Sequence, residues 1–150
     1  MKPVQISILI KPFSDLSTTE LYGILKARGE VFVVEQQIVY NDMDDVDFRS
    51  IHVALWNDNK VIAYARAYEE HGDWHIGRVL TTVRGKGYGR EIMKAAIDHL
   101  RGTGAHRLVL DSQEYAVGFY EKIGFSVCSD LFYIDTIPHY KMEMSIKSNN

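Results

Sequence analysis

Cysteine is nearly missing from this chain, no charge dominates it, and long apolar runs do not occur; each scarcity rules something out. Its 150 residues hold a single cysteine, Cys128. An internal disulfide framework is therefore excluded, and a reducing compartment is expected. Seventeen Lys and Arg against twenty Asp and Glu leave a net charge of −3, so no general affinity for nucleic acid or anionic membrane is implied. No stretch approaches the ~20 apolar residues of a membrane span. Met1 to Ile10 is strand-like and lacks the apolar core of a secretion signal, so a soluble, cytoplasmic protein is expected. With one cysteine and scattered histidines, no zinc ligand spacing appears. A calcium loop counted from Asp42 fails at Asp47, where it needs glycine, and at Val53, where it needs glutamate. Repeats, low-complexity tracts and linkers are absent as well. At 46% apolar content, residues 1–150 read as one domain with a sizeable core.

What is present is concentrated at one stretch. The apolar run from Val79 leads into Arg84-Gly85-Lys86-Gly87-Tyr88-Gly89-Arg90. Apolar residues then recur at Ile92, Met93, Ala96, Ile97 and Leu100, the spacing of a helix with one buried stripe. Strand, glycine-rich turn and helix together present unpaired N–H groups at the positive end of a helix dipole. Glycine permits φ > 0 and close approach of a ligand to the backbone. Arg84, Lys86 and Arg90 add positive charge, so a phosphate or pyrophosphate is the natural tenant. Neither the Walker A pattern nor the dinucleotide fingerprint fits: no Ser or Thr follows Lys86, and Arg90 stands where the last glycine would fall.

Downstream, Ala116, Phe119, Tyr120 and Ile123 share one face of a short helix that Gly124 should stop. Elsewhere, Val4 to Ile10 reads as a first strand. Ser17 or Thr18, with Glu20 following, reads as a helix start, and helical periodicity runs to about Glu35. The acidic segment from Asn41 to Asp47 reads as a solvated loop over the substrate entrance. Asn57-Asp58-Asn59 and Glu69 to Asp73 read as turns between antiparallel strands, Ile51–Trp56, Lys60–Tyr68 and Trp74–Leu80. Leu108 to Asp111, Ser126 to Ile134 and Lys141 to Ile146 complete the set.

The string Arg84-Gly85-Lys86-Gly87-Tyr88-Gly89 resembles the acyl-CoA pyrophosphate loop of the GNAT superfamily of N-acetyltransferases. Ala116-Val-Gly-Phe119-Tyr120-Glu-Lys-Ile-Gly124-Phe125 resembles that family's second motif, and Arg28 to Gln37 resembles the N-terminal signature of its ElaA branch. The resemblance implies an α/β (α+β) GNAT fold, a mixed twisted sheet of six or seven strands with about four helices on both faces. It also implies acetyl transfer from acetyl-CoA, as co-substrate, to a small-molecule or peptide amine, in a monomer or homodimer. By that resemblance Arg84 to Arg90 and Phe119 would hold the cofactor. Val79 or Leu80 would supply the N–H donor to the thioester oxygen, and Tyr120, beside the sulfur, would protonate the thiolate.

For the base, Glu35, His75 and Asp111 stay open, as does a water chain. Arg28, Arg66, Asp111 and His139 are candidates for the acceptor site; for Arg66 and Arg78, structural salt bridges are the equal alternative. Asp135-Thr-Ile-Pro-His139 resembles the family's ending, with Thr136 where glycine is usual. The segment between Gly77 and Arg84 is shorter than in ElaA-like proteins, which puts the strand's bulge and the oxyanion donor in question. A non-catalytic acyl-CoA sensor and an unrelated nucleotide binder are the competing readings.

Overall fold

The computed structural model describes residues 5–37 and 41–147 and divides into two compact units. The first comprises Met1–Tyr68 and Arg78–Ala96, the second Glu69–Gly77 and Ile97–Asn150.

In the first unit, strand β1 (Ser7–Pro12) pairs antiparallel with β2 (Ile51–Asn57), from Ser7 opposite Trp56 to Pro12 opposite Ile51. β2 pairs in turn with β3 (Lys60–Glu70), and β4 (Asp73–Thr81) follows beside β3. Helix α1 (Thr18–Arg28) starts where side-chain chemistry directs. Ser17 Oγ accepts the Glu20 N–H at 3.0 Å, while Glu20 accepts the Ser17 N–H at 2.8 Å. Two orphan N–H groups are thereby satisfied reciprocally. Helical periodicity was expected to continue to Glu35, and the backbone does continue, but as a π-helical turn over Gly29–Glu35 in which Gln36 N–H reaches Val31 O. Leu9, Ile24, Ala27, Val31, Ala54, Val61, Tyr64 and Leu80 form this unit's core, with Trp56 packed against it. A Cβ at Gly23 would stand 2.5 Å from the Trp56 ring, so the bare helix face there is what admits the indole.

In the second unit, β4 runs parallel to β5 (Arg107–Gln113) over Trp74 and His75, opposite Leu108 and Val109. β5 pairs antiparallel with the long β8 (Ile137–Ser145), whose other edge takes β6 (Ser126–Val127) and β7 (Phe132–Ile134). Leu108, Leu110, Phe125 and Met142 are buried here. Helix α2 (Tyr88–Arg101) begins in the first unit and ends in the second, and α3 (Val117–Ile123) stops at Gly124, whose φ is 126°. α3 is shorter than its sequence pattern suggested, because a 3-10 turn, Glu114–Ala116, precedes it.

The mixed α/β class agrees with the sequence, while the counts differ: eight strands and three α-helices among the described residues. The extra strand arises because the expected Ser126–Ile134 strand is broken into β6 and β7, and β8 begins four residues before Lys141. Val4 lies outside the described residues.

Asp135 and Thr136 form the two-residue turn between β7 and β8, with φ of 48° and 67°. A left-handed turn of this kind matches the twist of the flanking strands but suits glycine or asparagine. Glycine, which the family resemblance leads one to expect where Thr136 stands, would adopt this turn without strain. A β-branched residue held left-handed costs about 1–3 kcal/mol, and the extra chain entropy lost by glycine is about 0.5–1 kcal/mol. Thr136→Gly is therefore expected to raise stability by about 1 kcal/mol in urea unfolding; a loss would show that the threonine side chain contributes more than its strain costs.

Candidate functional site

The glycine turn is built as its sequence requires. Gly85 and Gly87 have φ of 75° and 76°, the left-handed region, and a Cβ on either would meet nothing within 4 Å. Glycine is thus demanded by conformation, and the space in front of both residues is open. Glu91 N–H bonds Gly87 O at 3.1 Å, closing the first turn of α2. The N–H groups of Tyr88, Gly89 and Arg90 come before any intrahelical partner and point out of the helix start. Before the turn, Thr82 is pinned to β3, its N–H on Ile62 O and its hydroxyl on Val61 O. Arg84 donates to Thr81 Oγ1 at 2.8 Å and to Glu35 Oε1 at 2.5 Å, with both Arg84 and Glu35 more than half exposed. The residues present suit a pyrophosphate: open glycines, a helix N-terminus and three cations. Glu35, a candidate base from the sequence, is here the carboxylate partner of the turn's first arginine.

A second cluster in the same unit ties three arginines to three aspartates. Arg28, fully buried at the end of α1, donates from Nε to Asp42 at 2.9 Å and from Nη1 to Asp47 at 2.6 Å. Arg66, 4% exposed, donates to Asp47 at 3.0 Å and through both terminal nitrogens to Asp44 at 2.7 Å. Arg78 donates to Asp42 at 2.8 Å. The segment expected to be a solvated loop is therefore held inward by ion pairs, because buried guanidinium groups require compensation. Hydrogen bonding to Arg66 keeps the Asp44 carboxyl at about 2, despite partial burial. Burial raises the Asp47 carboxyl, and the bonds from Arg28 and Arg66 more than offset this to lower it.

His52 lies beneath the cluster, fully buried. Its Nε2 is 2.9 Å from the Asp47 carbonyl, which can only accept, so Nε2 carries the proton. Nδ1 then accepts the Tyr64 hydroxyl at 2.6 Å. Burial, with Arg28 and Arg66 nearby, depresses His52 below its ordinary value, although the bond to Asp47 O and the Asp47 charge oppose this. The native state thus binds fewer protons than the unfolded state as pH falls through about 6.5, so stability falls there. Asp44 and Asp47, both depressed, act in a lower window, holding stability above about 4 and losing it as they protonate. Urea unfolding across pH is expected to show two separate acid losses, and His52→Asn to diminish only the upper one, to which His75, also lowered by burial, contributes as well.

The remaining candidates lie in the second unit. Tyr120, half-buried on α3, packs edge-on against Phe119 at 5.0 Å and Phe125 at 6.1 Å. Burial pushes its hydroxyl above the ordinary range, so it stays protonated. His75 is half-buried on β4; burial lowers it, while Glu70, Asp111 and Asp73 pull upward. Asp111 is exposed on β5, opposite Lys141. His139, 8% exposed, donates from Nδ1 to Ile137 O at 2.8 Å and stacks on Phe132. That bond holds the turn into β8. Val79 and Leu80 belong instead to the first unit, near the end of β4, Val79 half-buried and Leu80 buried.

Sequence reasoning named every arginine of the cluster and missed Asp42 and Tyr64. Their only signals were an acidic segment of four aspartates, Asp42, Asp44, Asp45 and Asp47, and one tyrosine in an apolar run.

A strand, a left-handed glycine turn with open space before it, and a helix start lined with cations make a place suited to an anion, and residues 14–146 match the family model described as an acetyltransferase (GNAT) domain. The chain belongs to the GNAT acetyltransferases, and within them it is similar to ElaA. Protein ElaA of Escherichia coli is 31% identical over 141 residues, covering 89% of this chain and 92% of that protein. Its crystal structure superposes with a TM-score of 0.87 over 93% of this chain and 99% of that one. A UPF0039 protein of Schizosaccharomyces pombe is 38% identical over 147 residues, covering 94% and 98%. An acyl-CoA N-acyltransferase from Pseudomonas aeruginosa superposes with a TM-score of 0.89 at 30% identity, covering 93% and 99%.

Proposed function

We propose that this protein transfers an acetyl group from acetyl-CoA to a primary amine, which attacks the thioester directly. The observation that carries the reading is the glycine turn, with Gly85 and Gly87 left-handed and the α2 start behind them. Arg84, Lys86 and Arg90, with the N–H groups of Tyr88 and Gly89, hold the pyrophosphate. Acetyl-CoA supplies the activated acyl group. The N–H of Val79 or Leu80 stabilises charge growing on the thioester oxygen. Tyr120 gives its proton to the departing sulfur; its raised hydroxyl keeps that proton available at neutral pH.

An amine attacks only as the neutral form, and lysine-like amines have pKa near ~10, so a proton must be taken. His75 suits this better than Glu35: a depressed histidine is neutral at pH 7 with one nitrogen free of a proton, whereas Glu35 is engaged by Arg84. Asp111 and His139 are assigned to the acceptor side. Arg28, through Nε and its terminal nitrogens, and Arg66, through both terminal nitrogens, donate to aspartates and are assigned to holding the loop and not to touching the acceptor.

The test is acetylation of a panel of amines (small polyamines, amino acids, an aminoglycoside and a peptide N-terminus) followed by mass spectrometry. Wild type is expected to acetylate at least one. Tyr120→Phe is expected to lower kcat about 100-fold, with the KM for acetyl-CoA little changed. Binding of acetyl-CoA with every amine left untouched would instead favour a sensing module. Effective competition by ATP would sink the cofactor assignment.

A further inference from the structure

Strand β4 contains a residue whose backbone is foreign to strands. Arg78 has φ of 52° in the middle of Asp73–Thr81. Seven other non-glycine residues have positive φ among those described, and all seven lie in turns or loops. The left-handed region is disfavoured for an L side chain such as arginine. Glycine would adopt it without strain, and Gly77 stands one position earlier yet is not among the left-handed residues. A strained residue persists where its surroundings over-determine it, and such strain concentrates at functional sites.

Here the surroundings are visible. Arg78 Nε donates to Asp42 Oδ1 at 2.8 Å, and Nη2 donates to Asp42 O at 3.1 Å and lies 3.4 Å from Asp44 Oδ2. Asp42 is held from the other side by buried Arg28, through Oδ2 and again through its carbonyl, both at 2.9 Å. One aspartate therefore clamps the irregular point of β4 to the end of α1. A left-handed residue within a strand breaks the alternation of N–H directions and turns the next groups off the ladder. The next two residues are Val79 and Leu80.

We propose that Arg78 is a positioning residue: its left-handed backbone, anchored by Asp42, aims the Val79 or Leu80 N–H that contacts the thioester oxygen. The assignment rests on the acetyl-CoA reading above. It explains why an arginine occupies a place that backbone geometry alone would give to glycine, since the anchor needs a side chain. The shortened segment before Arg84 thereby retains an irregular point in β4.

The experiment reads the thioester carbonyl directly, by the carbon NMR shift of carbonyl-labelled acetyl-CoA bound to purified protein. Wild type and Arg78→Gly, which reaches the left-handed region freely, are expected to show the same downfield shift relative to free acetyl-CoA. Arg78→Val, β-branched and without the anchor, is expected to bind within about threefold of wild type and to lose at least half that shift. Should Arg78→Val fail to fold by thermal melting, Asp42→Ala takes its place. It is expected to lose the shift in the Arg78 background and none in the Arg78→Gly background. An unchanged shift in Arg78→Val, or in Asp42→Ala, overturns the positioning role alone. So does an equal loss in Arg78→Gly and Arg78→Val, which would point to the charge and not the backbone. Absence of any acetyl-CoA binding by wild type overturns the cofactor reading, and the positioning role with it.

Discussion

Arg84→Glu is expected to abolish the thermal stabilisation that acetyl-CoA confers. A ligand that binds only the native state at a hundredfold excess over its Kd stabilises by about 2.7 kcal/mol. Hydrogen bonds from a charged donor contribute about 1.5–3 kcal/mol each, and reversing the charge replaces attraction with repulsion toward the phosphates. The side chain is 58% exposed, so the contact is wet and should weaken with salt, over a screening length of about 8 Å at physiological ionic strength. The same exposure keeps the control clean. The Arg84–Glu35 pair is a surface ion pair, worth about 0–1 kcal/mol, so the variant without ligand should melt close to wild type. If Arg84→Glu melts normally and acetyl-CoA still raises its midpoint, the glycine turn is not where the phosphates bind.

Asp47→Ala is expected to be the most damaging single change to stability, at about 3–5 kcal/mol, the cost of leaving buried charge uncompensated. One carboxylate oxygen accepts from Arg28 at 2.6 Å and from Arg66 at 3.0 Å. Those guanidinium groups are 0% and 4% exposed and have no easy recourse to water. Against a typical domain stability of about 5–15 kcal/mol, such a loss brings the unfolding midpoint near working temperature. Urea denaturation measures it. A loss below about 1 kcal/mol would mean that Asp42 and Asp44 take over the freed donors, making the cluster redundant and not obligatory. Arg66 would still be short of one partner, since its Nε is buried and already without a hydrogen bond.

What could be read in advance was local chemistry. Ser17 and Glu20 announce a helix start because a capping box needs only residues three apart. The glycine turn could be recognised because positive φ and an open helix start are properties of a few consecutive residues, here Gly85 to Gly89. Asn57 to Asn59 announced a hairpin, and Asp58 and Asn59 close it left-handed. Where the reading failed, local signals were ambiguous. The periodicity after Arg28 does not distinguish an α-helix from the π-helical turn that follows. A run of acids from Asp42 to Asp47 reads as solvated when the arginines that claim them are far away in sequence.

The sequence by itself determined the class of fold, the left-handed glycine turn before α2 and the family, because these rest on backbone conformations and motifs spanning a few residues. Only the tertiary structure decided which charges meet. Arg28 and Arg78 share Asp42 across 14 and 36 residues, and Glu35 finds Arg84 across 49. A charged side chain in a sequence is equally ready for water or for a partner. Which one it takes is set by how far the fold removes it from solvent, since a buried guanidinium needs a carboxylate and an exposed one does not.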